Sequence, residues 1–241
     1  MRRILLAIPL VGVLGGAPAL AQSSHPDPST LQTGTDTLYQ YLVRGQDTTF
    51  IGMVVDELTV RTLDGLRVLH RVYAGTSRLS GTSRDTLVDD ASTLSPLRSA
   101  SYRASGIETV TYEQGHVRGW LRQPTGDSVR IDVATPRRVF SSASFDLVLR
   151  ASPLAEGWQD TVPAFLPSGR VVVPMTARVA GRERIEGTEC WRVEAEFMGM
   201  PVTFWVDDRT RKLCRQEMRP QAGITLLYMR QGPDRRRQGA R

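Results

Sequence analysis

Lysine is all but missing from this chain: of 31 basic residues only Lys212 is not an arginine, and the arginines run evenly along the sequence instead of gathering into a stripe. Nucleic-acid binding needs clustered charge presented with aromatic residues or on a helix, and neither is found, so that role is excluded from the reading. Histidine and cysteine are as scarce. His25 precedes the patterned part of the chain, and His70 and His116 lie on different segments. Neither has a Cys or His at ligand spacing, so no metal is called for. No Gly-x-Ser-x-Gly elbow, His-Glu-x-x-His helix, Gly-rich phosphate loop or Cys-x-x-Cys occurs. No catalytic residue and no cofactor is therefore named; a dyad assembled from distant strands would leave no local pattern. The carboxylate pairs Asp56-Glu57, Asp89-Asp90 and Asp207-Asp208 read as solvated strand ends or polar faces, because neighbours on a strand point to opposite sides. Nothing after the first residues approaches the ~20 apolar residues of a spanning helix, so the mature chain carries no transmembrane segment. No internal repeat is evident.

What the chain does have begins at its N-terminus. Arg2 and Arg3 precede an apolar stretch from Ile4 to Leu14, followed by an Ala-x-Ala pattern at Ala19 and Ala21. This is the grammar of a cleaved export signal over residues 1–21, and it points to a periplasmic or secreted protein. The net charge of +6 then changes meaning, since six of the arginines lie in this signal or in the tail. Setting these and Asp234 aside leaves a body one charge from neutrality. Residues 22–35, rich in Ser, Thr and Pro, read as a flexible leader, and the basic tail 232–241 as disordered.

Between them, residues 36–231 read as a single domain in which hydrophobicity alternates with period two. Asp64-Gly65 is a strong hairpin signal, and Gly or Pro punctuates the later runs at nearly regular spacing. The expected fold is all-β: a large antiparallel sheet of roughly a dozen strands curled into an open or closed barrel, with one short helix between Ser141 and Ala155. Trp158 to Gly169, with Pro163 and Pro167, reads as an irregular connection. The strongest β region is the C-terminal meander. On one face it carries Trp191, Val193 and Phe197, joined across a turn by Val202, Phe204 and Val206, while Trp205 points the other way. These six are the candidate ligand-binding residues, because a sheet this wide can enclose an apolar lumen.

The order of Tyr41-x-Val43-x-Gly45, Asp85-Thr86-Leu87-Val88-Asp89, Leu94-Ser95-Pro96-Leu97-Arg98, Cys190-Trp191-Arg192-Val193-Glu194 and Thr203-Phe204-Trp205-Val206-Asp207 resembles the exported bacterial proteins of the domain of unknown function 3108 family. That resemblance implies a β-rich periplasmic protein and carries over no catalytic residue. In architecture alone the chain is similar to half-barrels that carry lipoproteins or lipids between bacterial membranes. The resulting expectation is a binding or carrier module for an apolar ligand or lipid; the alternative is an envelope structural or protein-interaction module. Cys190 and Cys214 are expected not to pair, since a flat meander that sets Phe197 opposite Val202 separates them by two strand spacings, roughly 10 Å, beyond disulfide reach.

Cleavage at the Ala-x-Ala pattern predicts that N-terminal sequencing of the exported protein starts at Gln22. A chain from the envelope fraction that still carries Met1 would refute it.

Overall fold

The computed structural model describes residues 25–230, so the export signal, its Ala19 and Ala21, and the basic tail lie outside the described residues. Fifteen strands follow one another in a single sheet: β1 (Gly34–Arg44), β2 (Asp47–Leu63), β3 (Leu66–Ser77), β4 (Gly81–Asp90), β5 (Pro96–Arg103), β6 (Gly106–Glu113), β7 (His116–Arg122), β8 (Ser128–Ala134), β9 (Phe140–Ser141), β10 (Gln159–Leu166), β11 (Val171–Ile185), β12 (Thr188–Phe197), β13 (Met200–Asp207), β14 (Leu213–Gln221) and β15 (Ile224–Met229). Between β9 and β10 lies the helix α1 (Phe145–Ala151). The spatial order runs from β8 back to β1, then β15 down to β9, so two meanders are joined where β1 pairs with β15. Every pairing is antiparallel except that of β9 with β10. The hairpins follow from local chemistry. Asp64 and Gly65 have φ of 51° and 80°, the left-handed pair that lets two residues reverse a twisted strand.

The segment read as an irregular connection is the strand β10. Pro163 is tolerated there because it faces Pro174, and the other side of β10 is paired only at Ala164 and Phe165. A missing N–H therefore leaves no ladder partner unmet. Within the stretch 22–35, the Asp27 N–H donates to the Ala151 carbonyl at 2.8 Å, Leu31 is buried and β1 already begins at Gly34. That part of the expected leader is packed on the end of α1.

The main core lies on the inner face of the sheet. It gathers Leu38, Leu58 and Leu69 from one meander and Met175, Val193 and Phe204 from the other around α1. A seven-residue helix has no stability of its own in water, so α1 is held by what surrounds it. Ser141 accepts from the Ala143 N–H at 3.3 Å to start the preceding turn, and Asp146 and Arg150 stand at the ends their charges favour.

The sheet is not closed by hydrogen bonds; it overlaps itself. Ala164 faces the main core, whereas its neighbour Phe165, on the opposite face of β10, belongs to a second cluster with Val110 and Tyr112 of β6, Val117 of β7 and Ile131 of β8. The inner face of β6–β8 thus covers the outer face of β10, as in a scroll. Tyr112 and Phe165 meet edge to face at 6.2 Å. The curl is tight enough that a Cβ at Gly119 of β7 would lie 1.9 Å from the Thr109 carbonyl oxygen of β6.

Because Phe165 is fully buried in this overlap, Phe165→Ala is expected to cost about 3–5 kcal/mol. Urea unfolding measures it. A midpoint unchanged from the parent would mean that the overlap contributes nothing to the fold.

Candidate functional site

Period two also places charges inside the scroll. On β3 the side chains that reach the interior are Leu69, Arg71 and Tyr73, and Arg71 is only 3% exposed. A buried guanidinium is stable only when its donors are met, and here four of its five N–H groups are directed at carboxylates. Nε and Nη2 donate to the two oxygens of Asp56 on β2 at 2.7 and 2.9 Å, and Nη1 and Nη2 to those of Asp146 on α1 at 2.7 and 2.8 Å. Arg150 stands 3.7 Å from both carboxylates and donates Nε to the Arg211 carbonyl at 2.7 Å. Burial alone would raise the Asp146 pKa, but the Arg71 charge and hydrogen bonds outweigh it and hold the pKa below the ordinary value. The same partners raise that of Arg71 against its own burial.

Asp56 and Asp89, read from sequence as solvated, are therefore interior residues. Paired strands β2 and β3 supply Asp56 with its counter-ion. Asp89 has a poorer environment: it is 1% exposed, its Oδ2 accepts from Ser144 Oγ at 3.3 Å, and its Oδ1 has no partner. Asp207 is buried for a different reason, since Oδ1 accepts the N–H groups of Arg209 and Thr210 in the β13–β14 turn.

Beside the Arg71 network the scroll holds a half-open chamber of about 290 Å³. Its apolar wall comes from the C-terminal meander: Met175 of β11, Phe197 of β12, Met200, Val202 and Phe204 of β13, and Met218 of β14. Phe145 of α1 closes over it, its ring 6.0 Å from that of Phe204. The opposite wall is polar, with Arg71, Tyr73, Asp85, Arg103 and Asp146. A second space of about 230 Å³ continues from the chamber to the rim, where β4–β6 approach Ser141–Ala143 and the Leu166–Ser168 turn; Asp85, Leu87, Arg103, Ser142, Ala143 and Phe197 border both.

Of the six residues chosen from sequence, Phe197, Val202 and Phe204 line the chamber. Trp191, Val193 and Val206 belong to the same interior cluster but stand away from the chamber. Trp191 is committed elsewhere, donating Nε1 to Asp208 at 2.7 Å beneath Arg182. Trp205 does point outward, into a small cluster with Ile185, Cys190 and Cys214. Both cysteines are free thiols, and they lie side by side. The flat-sheet reckoning placed them farther apart because it took a looser turn, which offset them along the strands, and no bulge between β13 and β14. Phe197 pairs with Met200 across a two-residue turn, Cys190 faces Asp207, and a bulge shifts β14 at Cys214. The methionines of the wall and the buried Arg71 were not singled out from sequence. Alternation alone would have placed Arg71 with Leu69 and Tyr73, but an arginine in that register reads as the solvent face.

Among the described residues no group of His, Cys, Asp and Glu could hold a metal ion, and no helix is long and apolar enough to cross a membrane. Fold and site together describe a barrel-like, self-overlapping β-sheet around a half-polar chamber. By its sequence the chain belongs to the family described as protein of unknown function (DUF3108), whose model matches residues 40–227. No curated protein matches it. Among solved structures it is similar to a beta-barrel-like protein of domain of unknown function DUF1849 from Brucella abortus, at 12% identity and a TM-score of 0.53, covering 83% of this chain and 96% of that one. That likeness concerns the fold alone. A putative outer membrane lipoprotein-sorting protein domain from Vibrio parahaemolyticus is matched over 79% of this chain and 66% of that one, at 13% identity and a TM-score of 0.28, too low to bear on the argument.

Burial pushes the Asp89 carboxyl from 3.8 up to about 7, with Ser144 and Arg71 pulling the other way. Between these two values the folded state keeps a proton that the unfolded state has lost, so stability falls as pH rises from about 4 to 7 and the loss is complete above that. Asp89→Asn should match the parent near pH 4 and exceed it at pH 8 by a few kcal/mol, on the order of 1.4 for each tenfold change in proton affinity. Urea midpoints at the two pH values decide it; a difference that does not change with pH would show that Asp89 does not titrate in this window.

Proposed function

We propose that the protein is an exported binding or carrier module that holds an apolar ligand or lipid tail in the chamber beneath α1. The observation that carries this reading is the chamber wall. Three methionines, two phenylalanines and a valine border space that side chains do not fill, whereas protein interiors otherwise pack to the density of organic crystals. Its volume stands at the lower end of small-molecule pockets, which are mostly apolar with a few polar groups. Methionine side chains are unbranched and polarizable, so such a wall adapts to the ligand's shape instead of selecting one rigid outline. The export signal read in residues 1–21 supports action in the periplasm or outside the cell, where an apolar molecule needs a carrier to cross water.

Purified without detergent, the protein should release lipid on native mass spectrometry and bind a hydrophobic fluorescent dye. Ala195 lies on the chamber wall and is nearly buried, so Ala195→Phe fills the space. The variant should keep the parent's far-UV circular dichroism and lose at least about tenfold in dye affinity, the equivalent of 1.4 kcal/mol. Dye binding that survives this substitution unchanged would place the ligand elsewhere. A lipid-free parent that recovers one defined envelope protein on cross-linking would favour an interaction module instead.

A further inference from the structure

The rim of the chamber has its own chemistry. Asp85, Ser101 and Glu108 are register partners on β4, β5 and β6, so they stand in one row on the inner face, with Arg103 two residues along β5 on the same face. All four border the space between chamber and exterior. Asp85 is fully engaged: Ser101 Oγ donates to Oδ1 at 2.5 Å, and Arg103 Nη2 donates to both oxygens at 2.9 Å. Arg103 is not. Its Nε and Nη1 make no hydrogen bond to the described residues, and its side chain is 48% exposed. Glu108, half-buried, accepts no hydrogen bond from the described residues; burial pushes its pKa up and the charge of Arg103 draws it down. The rim therefore holds two guanidinium nitrogens and one carboxylate without hydrogen bonds to the described residues, side by side, beside a chamber with one apolar wall.

Resting on the apolar-ligand reading, we infer that the ligand is a single-chain amphiphile with a zwitterionic head: its phosphate or carboxylate lies against Arg103, its ammonium against Glu108, and its tail in the chamber. A purely anionic head would satisfy Arg103 but face Glu108. A purely cationic head would satisfy Glu108 and leave the guanidinium donors unmet. A sugar-like neutral head would use neither charge. The chamber, about 290 Å³, is at the bottom of the range for small-molecule sites and suits one chain, not a pair, with about 230 Å³ at the rim left for the head.

The test holds the tail constant and varies the head. Full-length mature protein, stripped of lipid, is titrated calorimetrically with dodecylphosphocholine, dodecyl phosphate, dodecyltrimethylammonium and dodecyl maltoside, each below its micellar concentration. The phosphocholine is expected to bind about tenfold tighter than the other three, the worth of one charge-assisted hydrogen bond. Arg103→Gln should bring phosphocholine level with trimethylammonium, and Glu108→Gln should bring it level with the phosphate. Both variants alter exposed or half-exposed polar side chains, and circular dichroism verifies that they fold. Maltoside as tight as phosphocholine, or the same ranking of heads in the parent and both variants, overturns the head-group assignment while leaving the chamber as a tail site. Failure of all four chains to bind the parent overturns the chamber reading itself.

Discussion

Arg71 forks between Asp56 on the sheet and Asp146 on the helix, and through those four hydrogen bonds a helix too short to stand alone is fixed to the middle of the N-terminal meander. The C-terminal meander packs on the other side of α1, through contacts such as Phe145 with Phe204, so the helix joins the two halves of the scroll. Removing one partner of such a network leaves a buried charge uncompensated, a loss on the order of 3–5 kcal/mol. Arg150 completes the balance of two cations with two anions and reaches on to the Arg211 carbonyl beyond β13. This fastening, with the Asp27 bond to the Ala151 carbonyl and the packing of Phe145, holds α1 at the height where it roofs the chamber.

Closure by overlap has consequences that a hydrogen-bonded barrel would not share. A closed barrel removes both sheet edges and opens only at its ends. Here the inner face of β6–β8 lies over the outer face of β10, and the contact is made of apolar side chains. Such a seam carries no ladder of backbone hydrogen bonds, and the chamber reaches the exterior beside it, at the rim bordered by Arg103 and the Leu166–Ser168 turn. The opening of the chamber and the seam of the scroll are thus neighbours.

The chamber itself is a product of mismatch between two walls. One meander presents Met175, Phe197, Met200 and Met218, while the other presents the Arg71 pair and the Asp85–Arg103 pair. Charged groups that already satisfy each other cannot interdigitate with apolar side chains at full density, since each keeps its hydrogen-bond geometry. The space left between them is apolar on one side and polar on the other, which is the character of an amphiphile.

Much of the fold was legible in the sequence, because a period of two, Gly-marked turns and a single stretch at helical spacing are local properties. The apolar face of Phe197, Val202 and Phe204 was legible for the same reason. Strand β10 was not, because Pro163 breaks the local pattern and is permissible only because it faces Pro174 and the other side of β10 is sparsely paired. Nor could the sequence say that Trp191 and Val206 would be packed solid while Phe204 borders a cavity: they share one face, and which part of it is left uncovered depends on the height of α1. Arg71, Asp56 and Asp89 carry the plainest lesson. Their residue types prefer water: Arg71 and Asp56 become interior because Arg71 meets Asp56 on the next strand and Asp146 far along the chain, and Asp89 is covered with only Ser144 as partner. Sequence determines which side of a strand a residue takes; whether that side meets water, a partner or an empty chamber is decided by the roll of the whole sheet.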